Sequence, residues 1–269
     1  MTDEVFDRWA ADLEARHLSD LQFREVSRAL RALSATYVER REKLKEGAAL
    51  SGAGKRAAFA MFYGPLHFLL VREIVRALEL TMPGHPAIVD LGCGTGVAGA
   101  AWASQQEPRA VVHGIDVNPW ALGEAGHTWR AFALSGRAKR ADFVATPWPK
   151  DRAAVVAAFA VNELSDASRA ALLQRLLDRD PKDHGVRGKD LVPGGHGGAG
   201  GKAPVLIIEP LARAAVPWWR AWRDAFERAG GRADEWRFRL PLPPLVTKLD
   251  RAAGLDHREL TARSLAITG

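Results

Sequence analysis

The chain has 269 residues and 29.3 kDa, and 47% hydrophobic with 26% charged residues excludes a disordered or collagen-like chain. Basic residues outnumber acidic ones by 38 to 32, giving +6 and a pI near 9.8, and the excess falls mostly after residue 80, without a basic tail. One cysteine excludes a disulfide framework and any multi-cysteine zinc or iron–sulfur site, and it fits a cytoplasmic compartment.

The first 84 residues read as a helical module. Val5, Trp9 and Leu13 recur at helical spacing, and Leu21, Val26, Leu30, Leu33 and Tyr37 resume the pattern after Ser19-Asp20. Ser51-Gly52-Ala53-Gly54 reads as a break. A further helix is expected from Gly64-Pro65 through Leu78, with proline in its first turn, ended by Pro83-Gly84-His85-Pro86. The polar, acidic start does not read as a signal peptide, and no apolar run approaches the ~20 residues a membrane helix needs.

From residue 85 to 269 the rhythm changes. Apolar runs at 87–91, 110–115, 153–159 and 205–208 alternate with helix-length segments, and 140–144 is a weaker strand. Strands are also expected at 235–240 and 260–268, with a helix at 245–253 between them. Such alternation specifies an α/β fold: a doubly wound, mostly parallel seven-stranded sheet behind the helical module. Residues 183–203 are glycine-rich and read as a flexible loop, either a tolerated insertion or a lid.

The strongest motif is Ile88-Val89-Asp90-Leu91-Gly92-Cys93-Gly94-Thr95-Gly96, where a first strand should turn into a helix. Its glycines allow a tight turn and close backbone approach to a ligand. Gly94 to Gly99 also satisfies the dinucleotide spacing, which keeps a nicotinamide-dependent oxidoreductase open. Asp90, however, would repel a pyrophosphate and suits a cationic amino group, as S-adenosylmethionine carries. Val112-His113-Gly114-Ile115-Asp116 is a second strand ending in a carboxylate that can accept two ribose hydroxyls, with Val117 beside it. Asp142 can accept from an adenine amino group, and Phe143 can pack nearby. Each acid also has a purely local use, Asp116 as a helix cap and Asp142 as a turn residue. Cys93 lacks an activating base and fits a small space-filler.

Val89–Gly96 resembles motif I of the class I S-adenosylmethionine-dependent methyltransferases, and Gly114-Ile115-Asp116 resembles their acidic second-strand motif. Leu191-Val192-Pro193-Gly194-Gly195 is similar to the turn before their fifth strand. The resemblance implies a Rossmann-like methyltransferase fold over 85–269 and S-adenosylmethionine as cofactor. It places Asp90, Gly92, Gly94 and Gly96 at the methionine part, Asp116 at the ribose, and Asp142 and Phe143 at the adenine, with Cys93, Val117 and Asn162 also among the cofactor-binding residues. A shorter resemblance joins Ala158–Leu164 and Leu206–Pro210 to the methyltransferase-like family associated with the mitochondrial small ribosomal subunit and its bacterial relatives. That resemblance implies an rRNA or ribosome-associated methyl acceptor, although the iron–sulfur cysteines of the mitochondrial members are missing.

Substrates of open α/β sheets sit beyond the carboxyl ends of the strands, which points to Asn162, Glu163 and Glu209. Asn162 can hydrogen-bond an acceptor, and Glu163 or Glu209 can serve as base; capping and simple solvation are the local alternatives. The aromatic segment Phe59–Phe68 can fold over the cofactor, with Tyr63 or His67 near the methyl group, or be core. Trp218, Trp219 and Trp222 beside Arg220 and Arg223 either stack nucleobases or pack a helix on the sheet. The histidines show no metal-ligand spacing, so no metal is expected. Three functions compete: a methyltransferase on rRNA or a small molecule, a non-catalytic ribosome-assembly protein of the same fold, and the oxidoreductase.

Overall fold

The computed structural model describes residues 3–39, 50–82, 86–148, 153–178, 203–212 and 216–268. Helices α1 (Asp3–His17) and α2 (Phe23–Glu39) bury Phe6, Trp9 and Leu13, and Val26, Leu30 and Leu33, one stripe on each. Gly52, at φ +84°, opens α3 (Ala53–Ala58); one π-helical turn (Phe59–Tyr63) then leads straight into α4 (Gly64–Ala77). The helical run thus starts eleven residues before the expected Gly64, because Lys55, Arg56 and the alanines around them are good helix formers despite Gly54. At 25 residues this run is long and apolar enough to cross a membrane, contrary to the sequence expectation, but 72% of its apolar window is buried in the fold, so it serves as a core helix.

The sheet comprises β1 (Ala87–Leu91), β2 (Val111–Asp116), β3 (Gly136–Arg140), β4 (Ala153–Ala158), β5 (Val205–Glu209), β6 (Arg232–Phe238) and β7 (Leu260–Ile267). Their order is β3-β2-β1-β4-β5-β7-β6, parallel except for β7, which runs antiparallel to both neighbours. Central strands read as continuous apolar runs because helices cover both faces. One face packs under α1–α4, α5 (Val97–Ala103), α6 (Pro119–Ala131) and α9 (Pro244–Ala253). The other packs under α7 (Asp166–Leu177) and α8 (Trp219–Arg228). β3 lies four residues earlier than expected. It is an edge strand exposed along its whole length, Gly-Arg-Ala-Lys-Arg, so no apolar pattern announces it. Trp219, Trp222 and Phe226 of α8 are buried on the sheet, the packing alternative.

Phe68 of α4 stacks between Phe6 of α1 at 5.2 Å and Phe132, just after α6, at 4.6 Å; Trp9 touches Phe68 and Phe132. Arg16 adds two hydrogen bonds to Glu124 of α6, 3.2 and 2.9 Å. The amino-terminal helices and the sheet therefore share one core. The glycine-rich segment, including Leu191–Gly195, lies outside the described residues except at its last position, as do Pro83–His85.

Candidate active site

β1 ends where the glycine turn begins, and the turn is tied to β2. Gly92 and Cys93 donate their amides to the Ile115 carbonyl at 2.8 and 3.1 Å. Gly94 donates to Asp116 Oδ2 at 2.9 Å, while Asp116 Oδ1 accepts from the Asn118 amide at 2.8 Å. Asn118, not Asp116, caps α6 by accepting from the amides of Trp120 and Ala121. Each Asp116 oxygen keeps a second lone pair, enough for two hydroxyl donors. Gly94 and Gly96 stand at φ +50° and +76°, which L side chains rarely adopt.

Trp129 of α6 was not legible as a site residue. Its Nε1 donates to the Gly96 carbonyl at 3.0 Å, and its ring fills the space that a side chain would need at Gly96, Gly114 or Gly136. One indole thus presses the turn, β2 and β3 together. The glycines at 114 and 136, read with a buried tryptophan downstream of motif I, were the available signal.

Asp90 does not face the open side of the turn. Its Oδ2 accepts from the Gly99 amide at 2.8 Å, and Oδ1 is buried with no hydrogen-bond partner, as is Thr95 Oγ1. Burial, and then the nearby charge of Asp116, push its carboxyl up to about 7. Cys93 turns inward too: its Sγ lies where a side chain on Gly114 would be, and burial raises its thiol. Its side chain is thus the small space-filler that the sequence suggested. Val117 is 62% exposed beside Asp116, an apolar side chain open to solvent at the rim. Asp142 is exposed and accepts from the Val144 amide at 2.7 Å, the turn alternative. Phe143 is buried, with its ring edge packed against Gly92 beside Ala160, so it supports the glycine turn.

The segment after β4 forms the opposite wall. Phe159 holds φ +59°, a strained conformation for a bulky residue, and its ring stacks on His67 at 4.0 Å. Burial, and then the charge of His257, lower His67 to about 3, so it is neutral at pH 7. Tyr63 lies 5.8 Å from His67 and 6.1 Å from Phe59, and burial raises its phenol. The π-helical turn brings Phe59 to 3.9 Å from the position a Gly94 side chain would take, so the aromatic segment overlies the glycine turn. Such turns recur at functional sites.

Val161–Glu163 is a single 3₁₀ turn held by Glu209 of β5. Glu209 Oε1 accepts from the amides of Val161 and Asn162 at 2.9 and 3.1 Å, and Oε2 accepts from Asn162 Nδ2 at 2.7 Å. Glu209 is fully buried, which pushes its carboxyl up to about 8 against these hydrogen bonds. Its oxygens hold the turn and the Asn162 amide in place and do not reach solvent. Glu163 is exposed, yet the protein packed around its carboxyl, and then the Asp116 charge, raise it to about 7. Ser165 caps α7, which leaves Asn162 without a capping role. Among the described residues, no three histidine, cysteine or acidic side chains gather as a metal site.

A mostly parallel sheet with a glycine turn after β1 and an acid closing β2 defines an α/β protein that binds a nucleoside cofactor across the carboxyl ends of its central strands. Residues 88–179, about a third of the chain, match the family described as methyltransferase domain. The chain therefore carries a methyltransferase domain over those residues, and S-adenosylmethionine is its cofactor. The residues present fit that cofactor. Asp116 has lone pairs for two hydroxyls, Val117 offers uncovered apolar surface, and the space at Gly94 is open except for Phe59.

No curated protein matches this chain. Among solved structures, it is similar to magnesium protoporphyrin IX methyltransferase from Synechocystis, with 12% identity, 84% of this chain and 95% of that one covered, and a TM-score of 0.49. It is also similar to an S-adenosylmethionine-dependent methyltransferase from Aquifex aeolicus, with 14% identity, 86% and 97% covered, and a TM-score of 0.45. A putative RNA methyltransferase from Pyrococcus horikoshii has 11% identity, 76% and 84% covered, and a TM-score of 0.46.

Proposed function

We propose that this protein methylates a nucleophile seated between the glycine turn and the turn after β4, with the amino-terminal helices 1–84 as the cover of that cleft. The carrying observation is that Phe59 overlies Gly94 while Tyr63 and His67 continue from it to meet Phe159, on the same segment after β4 as Asn162. When bound, the cofactor supplies an electrophilic methyl group, and its sulfur–carbon bond pair returns to sulfur as the acceptor's lone pair forms the new bond. The chain supplies orientation and exclusion of water. Asp116 takes the ribose and Val117 lies along the adenine side, with Asp142 at its edge. Asn162 donates its Nδ2 to Glu209, so its Oδ1 accepts from the N–H or O–H of the acceptor and aims the lone pair. Glu163, with its carboxyl near 7, takes the proton released.

The acceptor proposed is a base of rRNA. An aromatic wall suits a nucleobase, and the +6 net charge with Arg137, Lys139 and Arg140 exposed along β3 suits a phosphate backbone. A small planar metabolite is the second reading, favoured by the same wall. The single, buried cysteine fits work in the cytoplasm. The test is transfer of labelled methyl from S-adenosylmethionine to RNA, protein and metabolite fractions. Label in RNA is expected, and Asn162→Ala should lower it by about tenfold to a hundredfold at unchanged cofactor affinity. Label confined to metabolites would move the acceptor to the second reading. No transfer to any fraction, despite cofactor binding, would favour a non-catalytic assembly protein.

A further inference from the structure

A second cavity lies on the α8 face of the sheet, away from the cofactor turn. It encloses about 570 Å³ between α8 and the β6–β7 hairpin, within the size of small-ligand pockets. β6 is four strand spacings from β1, about 19 Å at ~4.8 Å per strand. Trp219, Arg220 and Arg223 line it from α8, Asp234 and Glu235 from β6, and Arg263 from β7.

Arg263, 5% exposed, forms the floor, with its guanidinium 5.1 Å from the Trp219 ring and 3.7 Å from a Glu235 oxygen. Arg223 pairs with Asp224 at 3.0 Å, but both are 43% exposed, and such a surface pair is worth little and exchanges readily. Arg220 is exposed and has no ion-pair partner among the described residues. The first turn of α8 contains no carboxylate to cancel this positive field. On the facing hairpin Glu235 lies against Arg263, while the Asp234 side chain points to the other face of the sheet and pairs there with Arg232 at 2.6 Å. The cavity thus carries three guanidinium groups, those of Arg220, Arg223 and Arg263, a lining that suits an oxyanion. A planar guanidinium fork matches phosphate oxygens two at a time.

We propose that the cavity between α8 and the β6–β7 hairpin is a second binding site, for a nucleotide phosphate held by Arg220 and Arg223. The phosphate can belong to a free nucleotide or to an RNA strand. The site does not depend on which acceptor is methylated, so it stands or falls apart from the proposed function. It also gives the helix carrying Trp218, Trp219 and Trp222 a task beyond packing.

The test is calorimetric titration of the full chain saturated with S-adenosylhomocysteine, so that the cofactor cleft is filled. The probes are inorganic phosphate, uridine 5′-monophosphate and a single-stranded oligouridine. Binding of uridine monophosphate or oligouridine is expected, weakened at least about tenfold in Arg220→Ala/Arg223→Ala, with S-adenosylhomocysteine affinity unchanged. Oligouridine binding without monophosphate binding assigns the phosphate to RNA; binding of both assigns it to a nucleotide. Neither Arg220 nor Arg223 is buried, so the variant keeps the fold. No binding by the wild type, or equal binding by the double variant, overturns the proposal.

Discussion

Gly94 and Gly96 sit two residues apart in one turn, yet the structure separates their roles. Both have positive φ, so an alanine at either costs about 1–2 kcal/mol in backbone strain. At Gly96 the new methyl would lie 2.7 Å from Trp129 Nε1 and 2.8 Å from Ala125 Cβ, inside a packed core. Overpacking of that kind adds about 1–3 kcal/mol. Gly96→Ala is therefore expected to lose about 3 kcal/mol, a fall of about 6–12 °C in Tm for a chain of this size. At Gly94 the methyl would meet only Phe59, at 3.9 Å, so Gly94→Ala should lose about 1 kcal/mol from backbone strain alone. That methyl would instead occupy the side of the turn open to the cofactor, and an overlap of about 1–3 kcal/mol weakens binding by about tenfold to a hundredfold. Thermal unfolding and calorimetric titration with S-adenosylmethionine measure the two effects. Wild-type cofactor affinity in a folded Gly94→Ala variant would refute the orientation of the turn argued above.

Asp116→Ala should weaken S-adenosylmethionine binding by about a hundredfold in the same titration, since two charge-assisted hydrogen bonds to the ribose and the tie to the Gly94 amide go together. Glu124 carries the opposite pH signature to Glu209. Burial alone would raise Glu124, but hydrogen bonds from His17 and Arg16 bring it down to about 2, so its stabilisation is present above pH ~4.5 and lost as pH falls through 2. Urea unfolding should show Glu124→Gln less stable than wild type at pH 7 and equal to it near pH 2. Glu209 is raised to about 8, so its folded form holds a proton that the unfolded chain releases near pH ~4.5. Wild type should therefore lose stability relative to Glu209→Gln as pH rises from 5 to 9, and parallel curves would contradict the buried placement of this carboxyl.

Central β1, β4 and β5 were legible because buried parallel strands must be apolar throughout, and motif I because a glycine turn closed by an acid has few other uses. β3 lies away from its expected place because an edge strand exposed along its length carries no hydrophobic period. The roles of Glu209 and Phe143 were not legible, since sequence position names an acid at a strand end or an aromatic in a loop without saying which way it points. Glu209 turns inward because three donors of the Val161–Asn162 turn await it. Phe159 gave no signal at all, as nothing local marks a phenylalanine that must adopt positive φ.

The stack of Phe6, Phe68 and Phe132 has a bearing on how such proteins are divided. Phe132 lies inside the stretch 88–179 that the methyltransferase family recognises, while its two partners lie upstream of it. The segment that can be identified is thus smaller than the segment that can fold. Cutting at the recognised border would leave the Phe132 ring facing water and strip β5, β6 and β7 from the sheet. The hereditary unit of chemistry here ends well inside the physical unit of cooperativity, so the outer helices are free to drift in sequence only as far as that aromatic seam allows.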